Sequence, residues 1–203
     1  GTHTHHFLEG GYVAIGWMPD LDLSGITDKE ELYPMYRKTY PEDTSNIVVG
    51  QQVGQIARFL LDIQGGDYVI TPDADTEWLH YGQVAPDPSY HYATTEDGCP
   101  YRHRRSVEWS PQRLRRGDFS VPFQNTIRSS LTVFAISQRD EFFQAIGRKD
   151  LVTKRGTSKY DPYEAVLEQV LQLDDKEFEI LVSHLLTALG FEGSEVTGKS
   201  GDG

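Results

Sequence analysis

The sequence predicts an α+β protein: a small twisted mixed β-barrel with flanking helices, then a linker and the first helices of a second, truncated domain. Three observations lead there. Short runs rich in β-branched and aromatic residues recur between turn residues as far as Ile136. One segment among them carries apolar residues at helical spacing. After a stretch rich in Lys, Arg, Gly, Ser and Thr at residues 148–160, strand signals stop and helix-start signals take over. Short strands with one or two helices suit a small barrel. Helices with wide apolar faces need a sheet to cover them, and none follows before Gly203, so the second domain is expected to be incomplete.

Taken in order, residues 1–6 are His-rich and read as an unstructured end, with a metal-binding tract as the alternative. Residues 11–17, Gly-Tyr-Val-Ala-Ile-Gly-Trp, read as a buried strand, and residues 20–25 as a loop. Asp28 and Glu31 have capping-box spacing, but Pro34 is expected to break or kink the helix they would start. Residues 46–62 form a clearer helix, with Val49, Val53, Ile56 and Leu60 on one face and Gly65-Gly66 as its stop. Residues 67–71 and 78–84 read as strands, and residues 86–100 as a long loop or irregular hairpin carrying Tyr90 and Tyr92. Residues 102–109 alternate in the manner of a half-exposed strand. Residues 131–136 read as another strand and residues 140–146 as a short helix. Beyond the linker, Asp161-Pro162-x-Glu164 starts one helix, with Val166, Leu167, Val170 and Leu171 as its stripe. Asp174-x-x-Glu177 starts another, with Phe178, Leu181, Val182, Leu185 and Leu189 as its expected buried face and Gly190 as its stop.

Of the 203 residues, 37% are hydrophobic and 25% charged, ordinary values for a globular protein. No run approaches the roughly 18 apolar residues of a membrane span, so no membrane partner is expected. The single cysteine, Cys99, excludes an internal disulfide and a thiolate-rich zinc site. With no charged-then-apolar signal in the opening residues, a reducing, cytoplasmic setting is expected. The net charge of −12 argues against nucleic acid, but its distribution does not. Residues 1–100 carry 4 Lys/Arg against 16 Asp/Glu, residues 101–160 carry 13 against 5, and residues 161–203 carry 2 against 10. Phosphates respond to local potential, so the basic middle block is either a solvated face or a phosphate track.

Phe178-Glu179-x-Leu181-Val182, Leu185-Leu186, Leu189-Gly190-Phe191, Val196-Thr197 and Ser200-Gly-Asp-Gly203 resemble the opening of the Mrr-type restriction endonuclease domain. The resemblance covers about the last 30 residues. It implies a PD-(D/E)xK-like nuclease core whose metal-binding Asp and Gln-x-Lys strand would follow Gly203. Glu179 and Asp202 are the active-site neighbours it carries over, though Asp202 can equally shape the turn. Mg2+ is then expected for the full-length nuclease and no cofactor for this fragment, which should not cut DNA alone. Paired active sites imply a homodimer in the full-length, prokaryotic protein. The first 150 residues are similar to the EVE/YTH-like branch of the PUA superfamily. The pieces that carry this are Phe7-Leu-Glu-Gly-Gly-Tyr-Val-Ala-Ile-Gly-Trp17, Asp22-Leu-Ser24, Gly66-Asp67-x-Val69, Gly82-x-Val84 and Arg104-Arg-x-Val-x-Trp109. These are small barrels that hold one extruded base in an aromatic pocket. The organisation so implied is a base-reading domain over residues 1–147, a linker and connecting helix over 148–172, and the start of the nuclease domain over 173–203.

An extruded base loses a few kcal/mol of stacking, and aromatic faces return about 1–3 kcal/mol per base. The expected pocket residues are Trp17 first, then Tyr90 and Tyr92, with Asp22, Ser24, Asn46, Trp78 and Tyr81. Each aromatic ring can equally be core packing, and Asp22 can equally be a turn or cap residue. Trp109 reads as packing. An aromatic pocket favours a methylated base, at about 0.8 kcal/mol per buried carbon. A carboxylate such as Asp22 can accept from the amino group of adenine or cytosine, between which the sequence does not decide. Arg102, Arg104, Arg105, Arg113, Arg115 and Arg116 are the expected phosphate-binding residues, extended by Arg128, Lys154 and Arg155. His91, His103 and His184 read as solvated, packed or hydrogen-bonded rather than metal ligands. The expected function is therefore the specificity region of a modification-dependent restriction endonuclease acting on methylated DNA. An RNA-binding module and a protein- or small-ligand-binding module are the competing readings. A self-contained hydrolase is disfavoured by the absence of G-x-S-x-G, H-E-x-x-H and P-loop sequences.

Overall fold

A computed structural model of the chain describes residues 3–43, 45–94, 97–148, 150–152, 170 and 175–188. The chain divides into two compact units. The first is Gly1–Ser120 with Ser129–Ala135, and the second is Val121–Arg128 with Ile136–Gly203.

The first unit is α+β, with one curled antiparallel sheet forming a half-barrel flanked by helices. Its elements are α1 (Thr4–Gly10), β1 (Tyr12–Ile15), α2 (Leu32–Thr39), α3 (Asn46–Ala57), β2 (Tyr68–Pro72), β3 (Trp78–Val84), β4 (Tyr90–Tyr92) and β5 (His103–Arg115). The strand order is β1-β5-β3-β2, with β4 also paired to β5. The long strand β5 is the spine. Its first residues pair with β1 and β4, and its later residues pair with β3. The register shifts between His80 and Gly82, a bulge that turns β3 along β5. A Cβ on Gly82 would sit 2.5 Å from Val107 and 2.8 Å from the Glu108 carbonyl, so only glycine permits this approach.

Of the residues 1–6 expected to be unstructured, Thr4 to His6 instead open the helix α1, and residues 1 and 2 lie outside the described residues. Gly11 ends α1 in a left-handed conformation, φ 68°, which glycine adopts at no steric cost. Thr4 Oγ1 donates to the Pro72 carbonyl at the end of β2, and Trp109 Nε1 on β5 donates to the Phe7 carbonyl. The helix thus ties the outer strand β2 to β5 across the curl. No strand alternation announces it, and the two bonds span 68 and 102 residues, out of reach of local pattern reading.

The capping box at Asp28 and Glu31 forms as expected: Glu31 accepts from the Asp28 N–H, and Asp28 accepts from Glu30 N–H. Pro34 does not break the helix. It is the third residue of α2, within the first turn, where backbone N–H groups have no intrahelical acceptor to lose. The long helix also forms, as α3 running into a π-helical turn over Arg58–Asp62. Val49, Val53 and Ile56 are fully buried against Ile15, Met18, Leu23, Leu32 and Tyr36. Residues 131–136 are not a strand. The Thr132 and Val133 N–H groups donate to the buried Gln55 side chain of α3 instead of to a ladder.

The second unit includes three described helices, α4 (Val121–Thr126), α5 (Arg139–Ala145) and α6 (Asp175–Ala188). The expected start of α6 is matched, but its apolar face is not buried: Phe178 is 47% and Leu185 53% exposed. Val182 is also exposed, Leu181 is half-buried, and Leu189 lies outside the described residues. The helix expected from Asp161, most of the linker, and the motifs from Leu189 to Gly203 lie outside the described residues. Among the described residues no helix is long and apolar enough to cross a membrane.

Candidate base-recognition site on the concave face of the sheet

Alternation in β1 and β5 decides which side chains share a face. Val13 and Ile15 pair with Arg105 and His103, and Tyr90 and Tyr92 pair with the same two residues from the other side. Those six side chains line the inner face. Tyr12, Ala14, Arg104 and His91 take the outer one.

The loop after β1 folds back over this inner face. Met18 is fully buried and has φ 45°, a left-handed conformation seldom adopted by a residue with a side chain. Its N–H donates to Tyr40 Oη at 2.8 Å, and its carbonyl lies 3.1 Å from His103 Nε2. Tyr92 Oη donates to the Pro19 carbonyl at 2.6 Å. Half-buried Trp17 packs against the same core cluster as Tyr90. His103 stands between the two tyrosines, with ring centroids 6.2 Å from Tyr90 and 5.4 Å from Tyr92. The side chain of His103 is wholly inaccessible, and burial holds its pKa below the usual histidine value.

Asp22 lies exposed in the same loop. Its Oδ1 accepts from Ser24 N–H at 2.9 Å and from Ser24 Oγ at 2.5 Å. Those two bonds hold the carboxyl below its ordinary pKa, so it is an acceptor at neutral pH. Burial raises the pKa of Tyr90, with the Asp22 charge adding to it. Tyr92 is thus tied to the loop through the Pro19 carbonyl, Asp22 acts on Tyr90 through its charge, and Trp17 and Tyr90 pack against one core cluster.

The other three pocket candidates are elsewhere. Asn46 opens α3 and accepts from Arg37 Nη2 at 2.6 Å. Trp78 and Tyr81 belong to β3, which pairs with the far part of β5. Tyr81 is buried with its hydroxyl toward Gln112, and Trp78 lies under the Arg113 guanidinium at 4.9 Å. The described cavity, about 430 Å³, is lined by Gly65, Gly66, Gln83, Asp87, Glu108 and their neighbours, and none of the pocket candidates borders it.

The arginines do not form one track. Arg104 and Arg105 are 6% and 4% exposed, and both are bonded inside the protein. Arg104 grips Asp97 with both terminal nitrogens, at 2.5 and 2.7 Å, donates to the Tyr101 carbonyl, and covers the Tyr12 ring at 4.2 Å. Its guanidinium holds Asp97 well below the usual carboxylate range. Arg105 donates to the Phe59 and Leu60 carbonyls at 2.7 and 2.6 Å and to Ser89 Oγ at 2.6 Å. It satisfies carbonyls at the C-terminal end of the α3 segment, where a cation is favoured. The expectation that these two bind phosphate is corrected: their charge answers internal acceptors. Arg113 and Arg115 are exposed at the other end of β5, paired with Asp73 and Glu77. Arg116 follows, with its N–H on the Glu77 carbonyl. Arg102 precedes β5, half-buried, and is nearest in sequence to the His103 group. Arg128 is in the second unit, and Lys154 and Arg155 lie outside the described residues.

Tyr40 is the contributor that the sequence did not reveal. It lies 22 residues from the main-chain group it binds, and no spacing rule marks it. Among the described residues no group of three His, Cys, Asp or Glu side chains is placed to hold a metal ion. Glu179 is exposed on α6 and Asp202 lies outside the described residues. No curated protein and no solved structure matches the chain. A family profile described as "Domain of unknown function (DUF8426)" matches residues 2–138, which takes in the whole sheet and the Trp17 loop. The chain belongs to the DUF8426 family.

Proposed function

We propose that this chain is the DNA-reading region of a modification-dependent restriction endonuclease, an EVE/YTH-like module ahead of an Mrr-type nuclease domain. The observation that carries the reading is the tethered loop: its Pro19 carbonyl accepts from Tyr92, its Met18 carbonyl meets His103, its ionised Asp22 acts on Tyr90, and its Trp17 packs on the core that Tyr90 also packs against. Flat rings there return the stacking that an extruded base loses, about 1–3 kcal/mol for each. Ser24 occupies Oδ1 of Asp22, which leaves Oδ2 to accept from an exocyclic amino group. That chemistry favours adenine, cytosine or guanine, each with an exocyclic amino group, over thymine, which has none. Arg102 contacts phosphate beside the base. Arg113, Arg115 and Arg116 contact it farther along the duplex, at most roughly 33–43 Å from His103 by strand rise, on the order of one turn of DNA. The full-length protein would act in a prokaryotic cytoplasm, with Mg2+ bound by residues after Gly203 and two chains paired for double-strand cleavage. The burial of Arg104 and Arg105 favours a second reading, a module that takes an uncharged small ligand on the same face.

Fluorescence anisotropy with duplexes bearing N6-methyladenine, 5-methylcytosine or no modification tests this at several salt concentrations. Tighter binding to one methylated duplex, weakened by salt and lost in Trp17→Ala, is expected. Equal affinity for all three would remove the modified base from the account. Better competition by single-stranded RNA would make the module an RNA reader. No binding of any nucleic acid at low salt would leave the small-ligand reading.

A further inference from the structure

The groups that hold the Trp17 loop form a chain from one wall of the site to the other. Met18 is its middle link, gripped at both main-chain atoms, by Tyr40 on the N–H and by His103 on the carbonyl. A left-handed, fully buried methionine persists only where its surroundings over-determine it, as these two bonds do. His103 continues the chain, because its Nδ1 is 2.8 Å from Tyr90 Oη. A carbonyl can only accept, so the proton of the imidazole is on Nε2, toward Met18. Nδ1 is then an acceptor and the Tyr90 hydroxyl donates to it. One neutral tautomer satisfies both neighbours, and no other tautomer does.

We propose that His103, as the Nε2–H tautomer, is the positioning residue of this site: through the Met18 main chain it fixes Trp17, and through Tyr90 it ties that ring to the opposite wall. The consequence for binding rests on the base-reading function proposed above, while the clasp itself needs no ligand. Protonation would place a second hydrogen on Nδ1, against a hydroxyl that now donates to it. The groups that face the imidazole are Tyr90 and Tyr92 from β4, Asp22 and the Trp17 and Met18 main chain from the loop, and Arg105 two residues along β5. Asp22 alone among them is an anion at neutral pH, and it is exposed, so it offsets little of that cost.

The test uses the whole chain and three indole N–H signals, from Trp17, Trp78 and Trp109, with Trp17 assigned through Trp17→Phe. A long-range 15N–1H spectrum of the imidazoles should give His103 as the Nε2–H tautomer at neutral pH. In His103→Leu the Trp17 signal should move toward that of a solvated indole while Trp78 and Trp109 stay in place. Affinity for the methylated duplex that binds best should fall about tenfold, the effect of leaving one buried acceptor unpaired. Gln can donate from Nε2 and accept at Oε1, so His103→Gln should restore both readouts. Where His103→Leu fails to fold, acid titration of the unaltered protein replaces it: the Trp17 signal should shift with the midpoint of His103 protonation, and the other two should not. An Nδ1–H tautomer, or a Trp17 signal indifferent to both substitution and protonation, overturns the proposal. A Trp17 signal that responds in a protein that binds no oligonucleotide overturns the base-reading function and leaves the clasp standing.

Discussion

The two ends of β5 carry arginines with opposite fates. At the start, Arg104 and Arg105 point to opposite faces and both are buried. At the end, Arg113 and Arg115 lie in solvent against the carboxylates of the β2–β3 turn. The difference comes from what each end packs on. The first residues of β5 have β1 on one side and β4 on the other, with the α3 segment across the inner face. The last residues have β3 on one side only. A charge in the first setting must find internal acceptors, whereas in the second it keeps its water. A basic block in a sequence is therefore not one surface until the strand's neighbours are known.

The largest expected effect breaks the inner end. Arg105→Met leaves the Phe59 and Leu60 carbonyls and Ser89 without their donor, and urea denaturation should show a loss of about 3–5 kcal/mol. Arg104→Gln should cost less, about 2 kcal/mol, because Asp97 stays in contact with water and can be rehydrated. Arg104→Lys should not restore it, since an ammonium cannot match the two-pronged grip on Asp97.

Acid should separate two groups at the inner end. The pKa of His103 is depressed in the folded protein, so its contribution is complete above the unfolded value near 6.5 and is lost as pH falls through the folded one. Asp97 is also depressed, so its contribution is complete above about 4 and is lost only in stronger acid. Stability measured against pH should fall in that order, and Asp97→Asn should reduce the later decline, to which other depressed carboxylates such as Asp73 and Asp87 also contribute, while keeping the earlier one. The smallest effect is at the outer end: Arg115→Gln should change stability by less than about 1 kcal/mol, as exposed ion pairs do. The same substitution should reduce the salt dependence of duplex binding by about one counterion, which measures whether the outer end touches phosphate.

Elements set by local pattern were legible in the sequence. The β-favouring run of β1, the helical spacing of Val49, Val53 and Ile56, and the Asp28–Glu31 box each rest on neighbours within a few residues. The Trp17 loop was legible for the same reason, since its aromatic and acidic residues fall within one short segment. What depends on distant partners was not. The helix α1 is fastened by bonds to Pro72 and Trp109, residues 131–136 are diverted by Gln55, and Arg104 and Arg105 are drawn inward by Asp97 and by carbonyls 45 and 46 residues away. Charge and propensity are the same for an arginine that faces phosphate and one that closes a helix end.

The most direct measurement is an indole 15N–1H titration of the whole chain with a duplex carrying one methylated base. The Trp17 signal should shift in proportion to binding, with any change at Trp78 smaller and removed by high salt. A shift confined to Trp78, with Trp17 unmoved at saturation, would contradict it.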